Sequence, residues 1–288
     1  MKTKTPASCP VFATGLKNLR AKFLGLAAFL TIADVAHAQI VYSVTGSNYL
    51  QNFDGLPTII INTFILAQVG KQSEITGATE WQGTKVGGNG AAATDFTANA
   101  GGTNTGGIYS YGTGTSTDRS LGALASDSDI MAFGATFLNT TGDILTSVSM
   151  SFTAEFWRSS TTTQNVLTFA YGLVDGTTVT NANFLTAAGS TAFATLNVTG
   201  PAPVVSNGAL DGNLPANQAA VSGTITGLNI ANNGTFFIRW TDVNDSGNDA
   251  GLAIDNFNLS AVPEPSTCLL LGVGLGFTLL RLRRRQVA

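Results

Sequence analysis

Apolar and polar positions alternate with a period of two in two stretches of the chain, 144–157 and 235–241. The clearest stretch is 144–157. There Val148, Met150, Phe152, Ala154 and Phe156 interleave with Ser147, Ser149, Ser151, Thr153 and Glu155, the pattern of a strand with one buried face. Residues 235–241 repeat it, with Phe236, Ile238 and Trp240 on one side. Further strands are predicted at 130–138, 166–174, 192–198, 220–225 and 252–259, punctuated by turns at 139–142, 175–176 and 232–234. Helical periodicity of any length is missing from this region. Many short strands at this spacing predict an all-β fold: a single antiparallel β-sandwich of the jelly-roll kind spanning 39–261. Residues 82–107, rich in glycine among Ala, Thr and Asn, are predicted as a surface loop within it.

The two ends follow other rules. Residues 1–38 carry a basic start (Lys2, Lys4, Lys17, Arg20, Lys22), an apolar stretch at 23–32 and Ala36-His37-Ala38 before Gln39. That order is a secretory signal helix with an A-x-A cleavage site, read by the Sec translocase and signal peptidase. At the other end, Pro263-Glu264-Pro265 precedes an uncharged run at 268–280 and the basic cluster Arg281, Arg283, Arg284 and Arg285. A helix over about 267–282 is short for a bilayer core of about 30 Å. Its arginines stay on the cytoplasmic side by the positive-inside rule, and the body lies outside.

These three parts in fixed order resemble the PEP-CTERM sorting signal of exopolysaccharide-producing Gram-negative bacteria. The resemblance implies recognition by a membrane-embedded exosortase that cleaves near the triplet. It also implies an inner-membrane intermediate that passes to the cell surface or extracellular matrix, with exopolysaccharide as a partner. Several phrases in the body resemble a domain that recurs in such exported proteins. They are Phe53-Asp-Gly-Leu-Pro57, Tyr109-Ser-Tyr-Gly-Thr-Gly114, Glu155-Phe-Trp-Arg158, and Arg239-Trp-Thr-Asp242 with Ile254-Asp255-Asn256. That domain is similar to lectin-like jelly rolls in fold and carries no assigned activity.

Composition then narrows the chemistry. The single histidine, His37, lies in the signal, and the two cysteines, Cys9 and Cys268, lie in the ends. The segment 39–262 therefore has no disulfide, no Ser-His-Asp or Cys-His catalysis and no Cys/His zinc site. It holds five basic and 15 acidic residues, a net charge of −10. Such a body disfavours nucleic acid as a partner. No phosphate-binding glycine motif occurs in a strand-to-helix context.

Three constellations remain. Asp242, Asn244, Asp245, Asp249 and Asp255 form the densest acidic cluster and are candidate calcium ligands. Ala253 stands where an EF-hand needs its bidentate Glu, so only a different oxygen cage fits. A polar hairpin of Asx-turn residues is the other reading of this stretch. A carboxylate pair acting as glycosidase acid and base is a third. Arg119, Arg158 and Arg239 stand next to Asp118, Glu155 and Asp242 in sequence and are expected in ion pairs. Trp240 falls on the buried face, and Trp157, opposite Phe156, is the candidate glycan platform. The expectation is a non-enzymatic exported protein, structural or binding. A calcium-dependent carbohydrate-binding module or a carboxylate glycan hydrolase is the alternative.

Overall fold

A computed structural model describes residues 38–59, 72–87, 96–126 and 129–263 of the chain. Ala36, Glu264, Pro265, the four arginines at 281–285 and both segments predicted as terminal helices lie outside them. Among the described residues no helix is long and apolar enough to cross a membrane.

Among the described residues fifteen strands form, in chain order: β1 Ile40–Tyr42, β2 Tyr49–Gln51, β3 Ser73–Ile75, β4 Ala78–Gly87, β5 Thr97–Asn99, β6 Gly107–Tyr111, β7 Ser120–Leu124 and β8 Ile130–Asn139. They continue as β9 Leu145–Arg158, β10 Val166–Val174, β11 Thr191–Ala192, β12 Val198–Thr199, β13 Gln218–Ile230, β14 Thr235–Asp242 and β15 Gly251–Val262. One sheet runs β11-β10-β14-β8-β4-β3, with β1 on β8 and β12 on β10; the other runs β13-β9-β15-β7-β6-β5, with β2 on β15. Pairing is antiparallel except for β1 on β8 and β5 on β6. The fold is the all-β sandwich that the alternation predicts.

The stretch 82–107 departs from its predicted loop. Its first six residues complete β4, which pairs with β8 from Trp81 to Gly87, and Thr97–Asn99 form β5. Residues 82–85 are buried, and the Lys85 ammonium meets Asp129 at 2.7 Å in an ion pair that is almost fully enclosed. Glycine content hid a strand that lies between β8 and β3, in which Gly83 pairs with Phe133.

The inter-sheet core is aromatic. Trp240 of β14 lies parallel to Trp81 of β4 and Phe133 of β8, at 6.2 and 5.9 Å between ring centres. From the facing sheet, Phe152 of β9 and Phe257 of β15 meet it edge-on at 5.3 and 6.0 Å. Parallel and edge-on rings satisfy the ring quadrupoles while filling the gap between the sheets. Both indole N–H groups are bonded, Trp240 to the Leu196 carbonyl and Trp81 to the Tyr49 hydroxyl, each at 3.1 Å.

The expected arginine ion pairs do not form. Arg119 donates to the Ser110 hydroxyl and carbonyl, and Arg158 to the Gly101 carbonyl. Arg239 donates to the carbonyls of Phe184 and Ala187 and to the Ser190 hydroxyl. A guanidinium presents several donors in a fixed fork, which suits an array of loop carbonyls as well as it suits a carboxylate. The three arginines therefore tie loops onto the sheets.

Candidate functional site

The outer face of the seven-stranded sheet carries the residues of interest. Its inner positions on β9 (Val148, Met150, Phe152, Ala154) enter the core, which turns Ser147, Ser149, Ser151, Thr153, Glu155 and Trp157 outward. Register extends this face sideways: Thr224–Ser149–Ser260 form one rung across β13, β9 and β15, and Ser222–Ser151–Asn258 the next. The Ser149 and Thr224 hydroxyls are 2.9 Å apart.

At the next rung β15 carries an extra residue. Asp255 faces Thr153 and Asn258 faces Ser151, so that Asn256 and Phe257 stand against Phe152 alone, with Asn256 at φ +50°. This bulge returns Phe257 to the core and leaves Asp255 on the outer face beside Glu155. A second bulge near Gly251 puts the extra residue on β9, at Trp157.

The face is closed at one end and open at the other. At the closed end Trp157 is fully buried, parallel to Tyr111 at 5.7 Å and packed with Tyr109, Leu124 and Ala253. The segment around 209–212 lies over it: Leu210 N–H donates to the Trp157 carbonyl at 2.8 Å, and Gly212 sits directly on the indole. The glycan-platform expectation for Trp157 is therefore corrected. Its ring is outward on the strand, yet a loop forms a second small core on top of it.

Glu155 and Asp255 occupy the middle, about 1% and 2% exposed. Glu155 accepts from the Trp157 indole at 3.0 Å through one oxygen and from the Gln218 amide at 3.1 Å through the other. Burial raises its pKa against these hydrogen bonds. Asp255 accepts from the Asn256 side-chain amide at 2.7 Å, and its Oδ1 has no hydrogen-bond partner among the described residues. Burial first, then the nearby charges of Glu155, Asp118 and Asp54, push its pKa up to about 8.

The open end is a polar depression in two adjoining parts of about 560 and 340 Å³ that share Ser151 and Asn258. Asn48, Asn52, Ser149, Ser222 and Thr224 contribute to its walls, and no charged residue does. The sequence shows the serines of β9 as the polar half of an alternation. That they meet Ser222, Thr224, Asn258 and Ser260 depends on pairing between strands some 75 to 110 residues apart.

The predicted calcium ligands do not converge on one point. Among the described residues no three acidic, His or Cys side chains stand in a metal-binding group. Asp255 belongs to the Glu155 neighbourhood. Asn244 is exposed and donates to the Asp245 carbonyl. Asp245 and Asp249 share the Asn165 amide at 2.5 and 3.0 Å, and Asp249 also accepts the Asp245 N–H at 2.9 Å. Asp242 is buried with one oxygen on the Ala125 N–H at 2.8 Å, and burial raises its pKa well above the carboxylate range. This is the Asx-rich connection, in which Asp242, Asp245 and Asp249 each accept from a backbone or amide donor. Of the cleavage-site residues, Ala38 donates its N–H to Glu74 at 3.3 Å. Gln39 donates its amide to Asn181 and Thr235. Pro263 directly follows β15.

Residues 261–285 match the PEP-CTERM protein-sorting motif. No curated protein matches the chain. Among solved structures, the chain is similar to the CBM22-1 xylan-binding domain of Paenibacillus barcinonensis Xyn10C, with 11% identity, a TM-score of 0.34, and coverage of 78% of this chain and 100% of that one. The CBM22-2 xylan-binding domain of the same protein aligns at 10% identity and a TM-score of 0.29, covering 54% and 85%. TmCBM61, solved with β-1,4-galactotriose, aligns at 8% identity and a TM-score of 0.27, covering 50% and 71%. The chain is thus a β-sandwich carrying a PEP-CTERM sorting motif, which marks it as an exported protein sorted by an exosortase.

Proposed function

We propose that this exported domain is a non-enzymatic binding module of the cell surface or extracellular matrix, and that it holds neutral exopolysaccharide on the open end of the seven-stranded sheet. The observation that carries this reading is the uncharged groove of hydroxyls and amides across β13, β9 and β15. Hydroxyl and amide groups donate and accept at once, which matches a polyol surface and offers no counter-charge to a charged polymer. The net charge of −10 over 39–262 works against an anionic one.

Hydrolysis is disfavoured by the state of the two carboxyls on this face. Both are buried, and both oxygens of Glu155 are engaged by protein donors. A glycosidic acid and base must reach the scissile bond from opposite sides. With Trp157 covered, no indole stacks on the sugar, so single-site affinity is low and retention depends on many copies.

The test is affinity electrophoresis through exopolysaccharide isolated from the producing cells, with an anionic polyuronate as the control gel. The protein should be retarded by the neutral fraction alone, without release of reducing ends. Ser151→Lys should abolish the retardation and leave the thermal midpoint in place. Equal retardation of the Lys variant, or retardation by the polyuronate alone, would reject the groove.

A further inference from the structure

We infer that two copies of this chain associate edge to edge through β13, joining their seven-stranded sheets and their open faces. Among the described residues the two sheets end in four terminal strands, which are finished differently. The terminal strands β11, β3 and β5 contain two, three and three residues. β13, the remaining terminal strand, contains 13. A sheet edge presents unpaired N–H and C=O groups, and soluble proteins blunt such edges by shortness, charge, proline or a covering element. Three edges here follow the first device. β13 uses neither shortness, charge nor proline along 218–226: it pairs with β9 continuously over that span and is exposed at Ala219, Ala220, Ser222, Thr224 and Thr226, while residues 193–196 pack on its core-facing side at Gly223. Among the described residues no other strand pairs with it.

Charge identifies the occupant. The 27 residues 212–238 contain no charged side chain, within a body of net charge −10. For a second copy of the same acidic chain, this is the stretch that meets its partner without a like charge directly opposite. Antiparallel pairing of identical strands is self-complementary about a two-fold axis, and such axes close the assembly at two subunits. The usable length ends by itself, because the register breaks between Thr226 and Ile230 around Gly227 at φ +73°. An axis near Ser222 therefore pairs 218–226 with 226–218 of the second copy. The Ser222 and Thr224 hydroxyls of both copies then fall on one continuous outer face, so the groove of the proposed function doubles in length. The inference rests on that reading only for this consequence; the association itself is measured without polysaccharide.

The test is sedimentation velocity of the exported protein from its producing cells over a range of concentrations, at about 0.05 and about 0.5 M salt. A reversible dimer is expected, tighter at high salt because the two acidic bodies are screened. Ala220→Lys, at an exposed position, should weaken it about fivefold or more by putting a charged, edge-blunting side chain on each paired strand opposite Thr224 of the other copy, with an unchanged thermal midpoint. Since 39–262 is free of cysteine, Ser222→Cys should give a disulfide that joins the two copies at this position, identified by peptide mass. A monomer at all concentrations together with no such crosslink would overturn the proposal. So would a dimer that Ala220→Lys leaves intact, or one that salt weakens.

Discussion

Asp255 shows at the scale of one residue how burial changes a side chain that looks ordinary in sequence. Its carboxyl has an ordinary pKa of 3.8 and is pushed up to about 8 in the folded chain. Between those values the unfolded chain has released the proton and the folded chain still holds it. Stability is therefore full below about pH 4 and falls as pH rises toward 8. Asp249, raised to about 6 mainly by burial, adds to the lower part of that fall. Asp175, whose carboxylate accepts the N–H groups of Thr177, Thr178 and Val179, has its pKa lowered and acts with the opposite sign. Comparison with Asp255→Asn isolates the one group. The variant should match the wild type near pH 4 and exceed it by on the order of a few kcal/mol at pH 8 in urea unfolding. A variant less stable at pH 8 would contradict the burial account.

At the scale of elements, β9 divides the molecule's open surface from its covered one. Its alternation predicts which side chains leave the core, and the structure agrees from Val148 to Glu155. The alternation has no way to report what lies over them afterwards. Trp157 is covered by a segment 50 residues downstream, and Gly212 permits the approach: a Cβ there would stand 2.4 Å from the indole. Gly212→Ala should lower the thermal midpoint by an amount equivalent to about 1–3 kcal/mol, with far-ultraviolet circular dichroism unchanged. The near-ultraviolet tryptophan signal should change with it, since the Tyr111–Trp157 stack is displaced. The signal that could have flagged this covering is weak. Asp211-Gly212-Asn213 reads as one turn among many, and its contact partner is not encoded nearby.

For the whole molecule, the sandwich and the tail are separate instructions. β15 ends at Val262 and the Pro-Glu-Pro triplet begins at the next residue, so the sorting motif follows the last core strand without a spacer. Replacing Pro263, Glu264 and Pro265 with alanine should leave the melting of the domain unchanged. Full-length mass should then be retained in the membrane fraction, whereas the wild type appears outside the cell at a mass ending near the triplet. An identical distribution of both proteins would remove the sorting assignment.

The sequence by itself determined that the chain is exported and what class of fold it has. A linear address is read as a linear string, and a period of two is a local property of the chain. It also excluded disulfides and histidine or cysteine catalysis, because those need residue types that 39–262 lacks. The tertiary structure alone decided which polar residues act together. Register brought Ser149, Thr224 and Ser260 onto one rung, a bulge set Asp255 beside Glu155, and a distant loop buried Trp157. The same long-range pairing separated Asp255 from Asp242, which lie 13 positions apart in sequence and suggested a single cation cage. Strand pairing, bulges and loop covering are contacts between distant segments, and their free energy comes from packing that no local window of sequence contains.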